Sequence, residues 1–158
     1  MLQSNGFSKK LIVGNTNYLN NKNFNFIAET QIKKDTIQIF KSNLNIQNVL
    51  LNLTGNIINT ELLDLKITGS QQEINQMIMQ MPKKIKSICS PFFTNGKLTF
   101  KSYLKGLMNQ KNNPLFEMEY QIEDGGFKLL SNPQFELTEI NFSGNLSNGK
   151  ERNFNSTK

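Results

Sequence analysis

Apolar and polar residues alternate with period two along much of this 158-residue chain, the spacing that turns one face of a β-strand inward and the other to water. The pattern is clearest over 97–105, where Leu98, Phe100, Ser102 and Leu104 point one way and Lys97, Thr99, Lys101, Tyr103 and Lys105 the other. A loop, Gly106 to Pro114, leads to a second run in which Phe116, Met118, Tyr120 and Ile122 alternate with Leu115, Glu117, Glu119 and Gln121. An antiparallel hairpin with position sums of about 220 pairs Lys101 with Glu119, Lys97 with Glu123, Phe100 with Tyr120 and Leu98 with Ile122, so that both faces match in chemistry. Phe135 and Leu137 alternate, as do Ile140, Phe142, Gly144 and Leu146, but the two sets are out of phase, which predicts a bulge at Thr138-Glu139. Strand-like runs also cover Phe24–Ile32, Thr36–Lys41, Leu44–Thr54 and Thr60–Thr68. Sequential strands on short loops, about seven in all, predict an antiparallel meander.

One segment has helical spacing. Ser70-Gln71-Gln72-Glu73 reads as a capping box, followed by Ile74, Met77, Ile78 and Met81 at i, i+3, i+4 and i+7, with Pro82 as terminator. This predicts one capped α-helix at about 70–81 whose Met-rich face is core. The basic run Lys83-Lys84-Ile85-Lys86 reads as a solvated turn, Asn15–Asn25 with its six Asn as a loop, and Asn148–Lys158 as a frayed tail.

Composition supports a folded, strand-rich chain. Leu, Ile, Val and Phe make up 47 of 158 residues, well above the roughly 20% below which chains stay disordered. Ala occurs once and Asn 24 times, a poor mixture for helix. No apolar stretch approaches the roughly 20 residues of a membrane helix, and Met1 to Gly6 has neither the charged nor the apolar part of a secretion signal. Charge is uneven: residues 1–111 carry 14 Lys against 5 acids, and residues 112–140 one Lys against 6 acids. Only one of the 18 bases is Arg, the residue that nucleic-acid readers use for bidentate contacts, so no nucleic-acid partner is expected.

The chain has no His and one Cys, which excludes a Ser-His-Asp triad, a Cys-His dyad, an imidazole metal site and an internal disulfide. Ser102-Tyr103-Leu104-Lys105 fits S-x-x-K, but an offset of three in a strand sends Ser and Lys to opposite faces. Glu117 and Glu119 share a face with no burial to separate their pKa values, and Cys89 has no neighbouring base. The Asn-x-Ser/Thr matches at Asn52, Asn141, Asn145 and Asn155 are what an Asn-rich chain supplies by chance. The expectation is no enzyme, no cofactor and no metal.

A short repeat is present. Asn52-Leu53-Thr54-Gly55-Asn56-Ile57 matches Asn141-Phe142-Ser143-Gly144-Asn145-Leu146, and Ile67-Thr68-Gly69 and Leu104-Lys105-Gly106 share a shorter form read as a strand closing in Gly.

Longer-range order carries a resemblance. A strand closing in Gly69, a capped helix ending at Met81-Pro82, the stretch to Phe92-Phe93, Gly96-Lys97-Leu98-Thr99-Phe100 through Gly106, then Pro114, Pro133 and Gly144 follow in an order and spacing that resembles the C-terminal region of AsmA-like proteins, over about Leu44 to Gly149. The resemblance implies a bacterial envelope protein anchored in the inner membrane, with a long periplasmic β-groove that carries phospholipid between membranes and serves outer-membrane biogenesis. The anchor and most of that length are missing here, so the chain reads as a fragment whose membrane association lies in segments outside it.

The fold expected is therefore mainly β, a curved antiparallel sheet forming an open, repetitive groove or half-barrel with one helix. Residues 1–43 are expected to hold N-terminal strands and the Asn-rich loop, 44–149 the AsmA-like region, and 150–158 a disordered tail. The candidate groove residues are Leu98, Phe100, Leu104, Phe116, Met118, Tyr120, Ile122, Phe135, Leu137 and Phe142, with phospholipid or another hydrophobic ligand as partner. The alternative is a structural or adhesive β-repeat whose apolar face is a sealed core without ligand. An uncovered face favours the first reading, and a second packed layer favours the other.

Overall fold

In the computed structural model, which describes residues 2–13, 16–81, 83–109 and 112–151, the strands follow one another in space as they do in sequence. β1 (Leu2–Val13), β2 (Thr16–Lys33), β3 (Thr36–Ile46), β4 (Val49–Ile58), β5 (Leu62–Glu73), β6 (Phe92–Leu107), β7 (Leu115–Leu129) and β8 (Glu136–Ser147) form one sheet, each antiparallel to the next. The sheet is open, with β1 and β8 as its edges. The mainly β, antiparallel meander read from periodicity is the architecture of the molecule. Residue 43 falls inside β3, and one sheet runs across it.

Turn chemistry sets the strand ends. Gln47 and Asn48 connect β3 to β4 with φ of 46° and 74°, and the Asn48 N–H donates to Asn45 Oδ1 at 3.2 Å. Two successive positive φ values suit the right-handed twist of a tight hairpin, and Asn tolerates them well. This turn divides the single strand expected over Leu44–Thr54. The loop expected over Asn15–Asn25 is also overturned from residue 16 onward, position 15 lying outside the described residues. Asn17, Asn20, Asn23 and Asn25 pair with Ile12, Lys10, Phe7 and Asn5, because a long hairpin satisfies every backbone group along it and outweighs the weak turn preference of Asn.

Helix occupies less of 70–81 than expected and continues beyond it. Residues 70–73 belong to β5, where Gln72 and Glu73 oppose Leu98 and Lys97. Helix α1 covers only Ile74–Gln80, and its N-cap Glu73 is extended and makes no side-chain cap. The capping box fails because Glu73 pairs instead with Lys97 across the sheet, while the Gln71 N–H donates to Thr99 Oγ1 at 3.1 Å. A second helix, α2 (Lys83–Cys89), stands where the Lys run suggested a turn; Pro82 lies outside the described residues. No residue of α1 is buried: Ile74, Met77 and Ile78 are half-buried and Met81 is 38% exposed, so the Met face is a half-buried contact against β5 and β6 rather than core.

The hairpin register is as periodicity predicted. Lys101 opposes Glu119, Lys97 opposes Glu123, Phe100 opposes Tyr120 and Leu98 opposes Ile122. The bulge near Thr138-Glu139 is present too: Glu139 has φ 55°, and the β7–β8 register shifts between Ile140 and Leu137. Gly106 stands next to the last residue of β6, as a strand-closing glycine should, but Gly69 sits within β5 and Gly144 within β8. Gly69 lies under the ring of Phe100 and Gly144 under that of Tyr120, each directly across the ladder, so the aromatic ring covers backbone that the glycine leaves bare.

Candidate functional site

Strand pairing carries one apolar face across the sheet. Phe100 opposes Gly69 and Tyr120, Leu104 opposes Leu65 and Phe116, and Ser102 opposes Ile67 and Met118. Ile122, Tyr120 and Met118 oppose Phe142, Gly144 and Leu146 in turn. Directly opposed residues share a face, so Leu98, Phe100, Leu104, Phe116, Met118, Tyr120, Ile122 and Phe142 are brought together as the alternation required. Phe135 and Leu137 join them through Phe127: Leu137 opposes it, and the Phe135 ring stands edge-on to it at 6.3 Å. Positive φ at Asp124 (49°) in β7 is matched by Glu139 in β8, so paired irregularities keep the out-of-phase set on the same side. The rings of Phe92 and Phe127, 4.7 Å apart, extend this patch.

Burial along the face is graded. Ala28, Ile39, Leu63 and Leu65 form a buried cluster with Phe26, Ile37, Leu53, Ile57 and Leu104 packed against it, so that strands β2–β5 and one residue of β6 share a core. Phe100, 8% exposed, ends this sealed part. Leu98, Phe116, Met118, Tyr120 and Ile122 are half-buried, and Phe142, Phe135 and Leu137 are 45%, 49% and 50% exposed. Helix α1 reaches β4, β5 and β6 and has no comparable contact with β7 or β8, so the open end has no second layer among the described residues. The accessible surface, 10934 Å², exceeds the about 8,100 Å² of a compact monomer of 18.1 kDa, as an uncovered sheet requires.

Two buried polar residues on the sealed side escaped sequence reasoning. Ser42 Oγ accepts from Leu53 N–H (2.9 Å) and donates to Leu53 O (2.8 Å), filling the irregularity between Ile39 and Leu44. Gln72 Oε1 accepts from Leu50 N–H at 2.9 Å, beyond the last β4–β5 pair at Asn52 and Thr68. Their only signal was a polar residue where the phase calls for an apolar one.

The opposite face is polar and largely paired with itself. Gln71 and Gln121 donate to the two oxygens of Glu123 at 2.8 and 3.0 Å. Lys101 Nζ stands 5.2 Å from the centroid of the Tyr103 ring, and Tyr103, with Glu119, raises its pKa above the ordinary lysine value, whereas burial, helped by Lys86, lowers that of Lys22. A shallow hollow of ≈ 420 Å³ on this side is lined by Asn52, Thr68, Thr99, Lys101, Glu119 and Gln121 among others. Polar and charged side chains predominate among its lining residues, with Phe100 and Tyr120 also contributing. Ser102 is buried and Lys105 exposed, on opposite faces, so S-x-x-K assembles no nucleophile. Among the described residues no group of His, Cys, Asp and Glu could hold a metal ion, and no helix is long and apolar enough to cross a membrane.

The chain matches no protein-family model, no curated protein and no solved structure.

Proposed function

We propose that this chain is a lipid-binding segment of an AsmA-like envelope protein, holding phospholipid acyl chains along the open apolar face of β6–β8 during transport between membranes in the periplasm. The observation that carries the reading is the exposure gradient on one continuous face, from Phe100 at 8% to Phe142 at 45%. An exposed contiguous apolar patch is costly in water and marks a surface that meets an apolar partner. Leu98 to Leu104 spans about 20 Å along the strand, against the about 15 Å that one acyl chain occupies in half of a bilayer core. The rival reading, a structural or adhesive module with a sealed core, draws on the buried cluster of β2–β5.

The two are separated by charge insertion on the open side. Met118→Glu and Phe142→Glu should leave the fold intact, because either carboxylate reaches water, while capture of phospholipid from vesicles of phosphatidylethanolamine and phosphatidylglycerol falls several-fold. Gln121→Glu on the polar face should alter neither. Wild-type lipid capture by folded Met118→Glu and Phe142→Glu rejects the lipid reading, and unfolding of both supports the sealed module.

A further inference from the structure

We propose that the free edge of β8 is a docking site for one extended strand of another polypeptide, bound antiparallel, with the alternation Leu-x-Leu-x-Ile that β5 presents to β4. The inference goes beyond lipid binding and does not depend on it. It starts from the repeat. Asn52–Ile57 lies in β4 and Asn141–Leu146 in β8, and the two copies meet their preceding strands alike. Gly55, Asn56 and Ile57 oppose Ile39, Gln38 and Ile37 of β3; Gly144, Asn145 and Leu146 oppose Tyr120, Glu119 and Met118 of β7. In each copy glycine meets a bulky apolar residue, asparagine a polar one, and an aliphatic residue another apolar one.

The copies differ on the other side. β4 is covered there by β5, with Leu53 opposite Ile67, Thr54 opposite Lys66, Gly55 opposite Leu65, Asn56 opposite Asp64 and Ile57 opposite Leu63. Among the described residues β8 has no further strand beside it in the sheet. Transferring the β4 register places incoming Ile, Lys, Leu, Asp and Leu opposite Phe142, Ser143, Gly144, Asn145 and Leu146. The three aliphatic residues then continue the apolar face, and the two charged ones stand over exposed Ser143 and Asn145.

The edge is also unguarded where the repeat lies. Sheet edges are normally protected by charge, proline or a bulge. In β8 the acids Glu136 and Glu139 and the bulge are confined to its first four residues, and Ile140 to Ser147 contains neither charge nor proline. Strand addition uses main-chain hydrogen bonds for affinity and alternate side chains for specificity, both of which this edge offers.

The test uses the full chain and a synthetic peptide of its own residues 61–69, which copies the occupant of β4. Backbone amide spectra of labelled protein should show shifts confined to 140–147, with slower amide exchange there. A peptide with Ser in place of Leu63, Leu65 and Ile67 should not bind. The register predicts that Ser143→Glu, facing the peptide lysine, tightens binding about two- to five-fold, and that Ser143→Lys weakens it by a similar factor. Absence of binding, shifts located at β1, or equal affinity for the Glu and Lys variants would overturn the proposal. Self-association of the protein through β8 in place of peptide capture would also overturn it, by making a second copy the occupant.

Discussion

The β2–β5 and β6–β8 parts of the sheet share the same alternation and the same antiparallel pairing, yet one side of the first is sealed and that of the second is open. Ala28, Ile39, Leu63 and Leu65 are at most 8% exposed, whereas Phe142 and Leu137, on equivalent strand positions, are near half. Period two therefore reports which residues share a face and is silent about what covers that face. Cover depends on what packs over the face: Ala28 and Ser42 oppose each other and are buried, and helix α1 lies against β4, β5 and β6, whereas the Tyr120 and Phe142 rings of β7 and β8 pack on each other at 5.9 Å with no comparable helix contact.

The sharpest way to break this contrast is to place a charge in each half. Leu65→Asp should unfold the domain, since a buried unpaired carboxylate costs an amount comparable to a typical stability of 5–15 kcal/mol, whereas Phe142→Asp should melt within a few degrees of wild type. Comparable losses in circular-dichroism melts would mean that the β8 face is as sealed as β5.

The repeat gives a milder comparison. Gly55 has φ 126°, and an added Cβ would lie 2.0 Å from the Asp64 carbonyl, so Gly55→Ala forces backbone apart and should cost about 3 kcal/mol or more. At Gly144 the nearest atom is the Tyr120 hydroxyl at 2.8 Å, the far end of a half-buried side chain that can move, so Gly144→Ala should cost roughly 1 kcal/mol or less. Urea titration of the two variants measures the difference, and equal costs would erase the distinction between a paired strand and an edge.

Much of this was legible before the fold. The 97–123 hairpin could be placed residue by residue because both faces had matching chemistry, and the phase change at Thr138-Glu139 announced its bulge. Where reading failed, a local rule lost to a tertiary contact. Ser70 and Glu73 fit a capping box, but β5 runs on through them and Glu73 pairs with Lys97 of β6 instead. The Asn-rich segment became strand because β1 was there to pair with it. The gradient of exposure was illegible altogether: Leu65 and Met118 look equally apolar in a sequence, and only packing distinguishes them.

Smaller effects sharpen the picture on the sealed side. Ser42→Ala leaves the Leu53 N–H without its acceptor and should cost about 1–3 kcal/mol, whereas Ser143→Ala on the exposed β8 face should stay within about 0.5 kcal/mol, both read from urea midpoints. The smallest effect is one of pH. Because its pKa is raised in the fold, Lys101 adds stability that is fully present below the ordinary lysine value of 10.5 and is lost as pH climbs through the folded value. Tyr103→Phe should shift the Lys101 titration, followed by side-chain NMR, back toward 10.5.

If β6–β8 offer an open apolar track to an acyl chain, as proposed, site-specific photocrosslinking will mark it. A benzophenone side chain would be placed at Met118, at Phe142, at Ile57 in the sealed half, and at Gln121 on the polar face, and each protein irradiated with phosphatidylethanolamine and phosphatidylglycerol vesicles. Phospholipid-mass adducts are expected at 118 and 142 and none at 57 or 121. Adducts of equal yield at 121, or none at 118 and 142 in protein that remains folded, would contradict it.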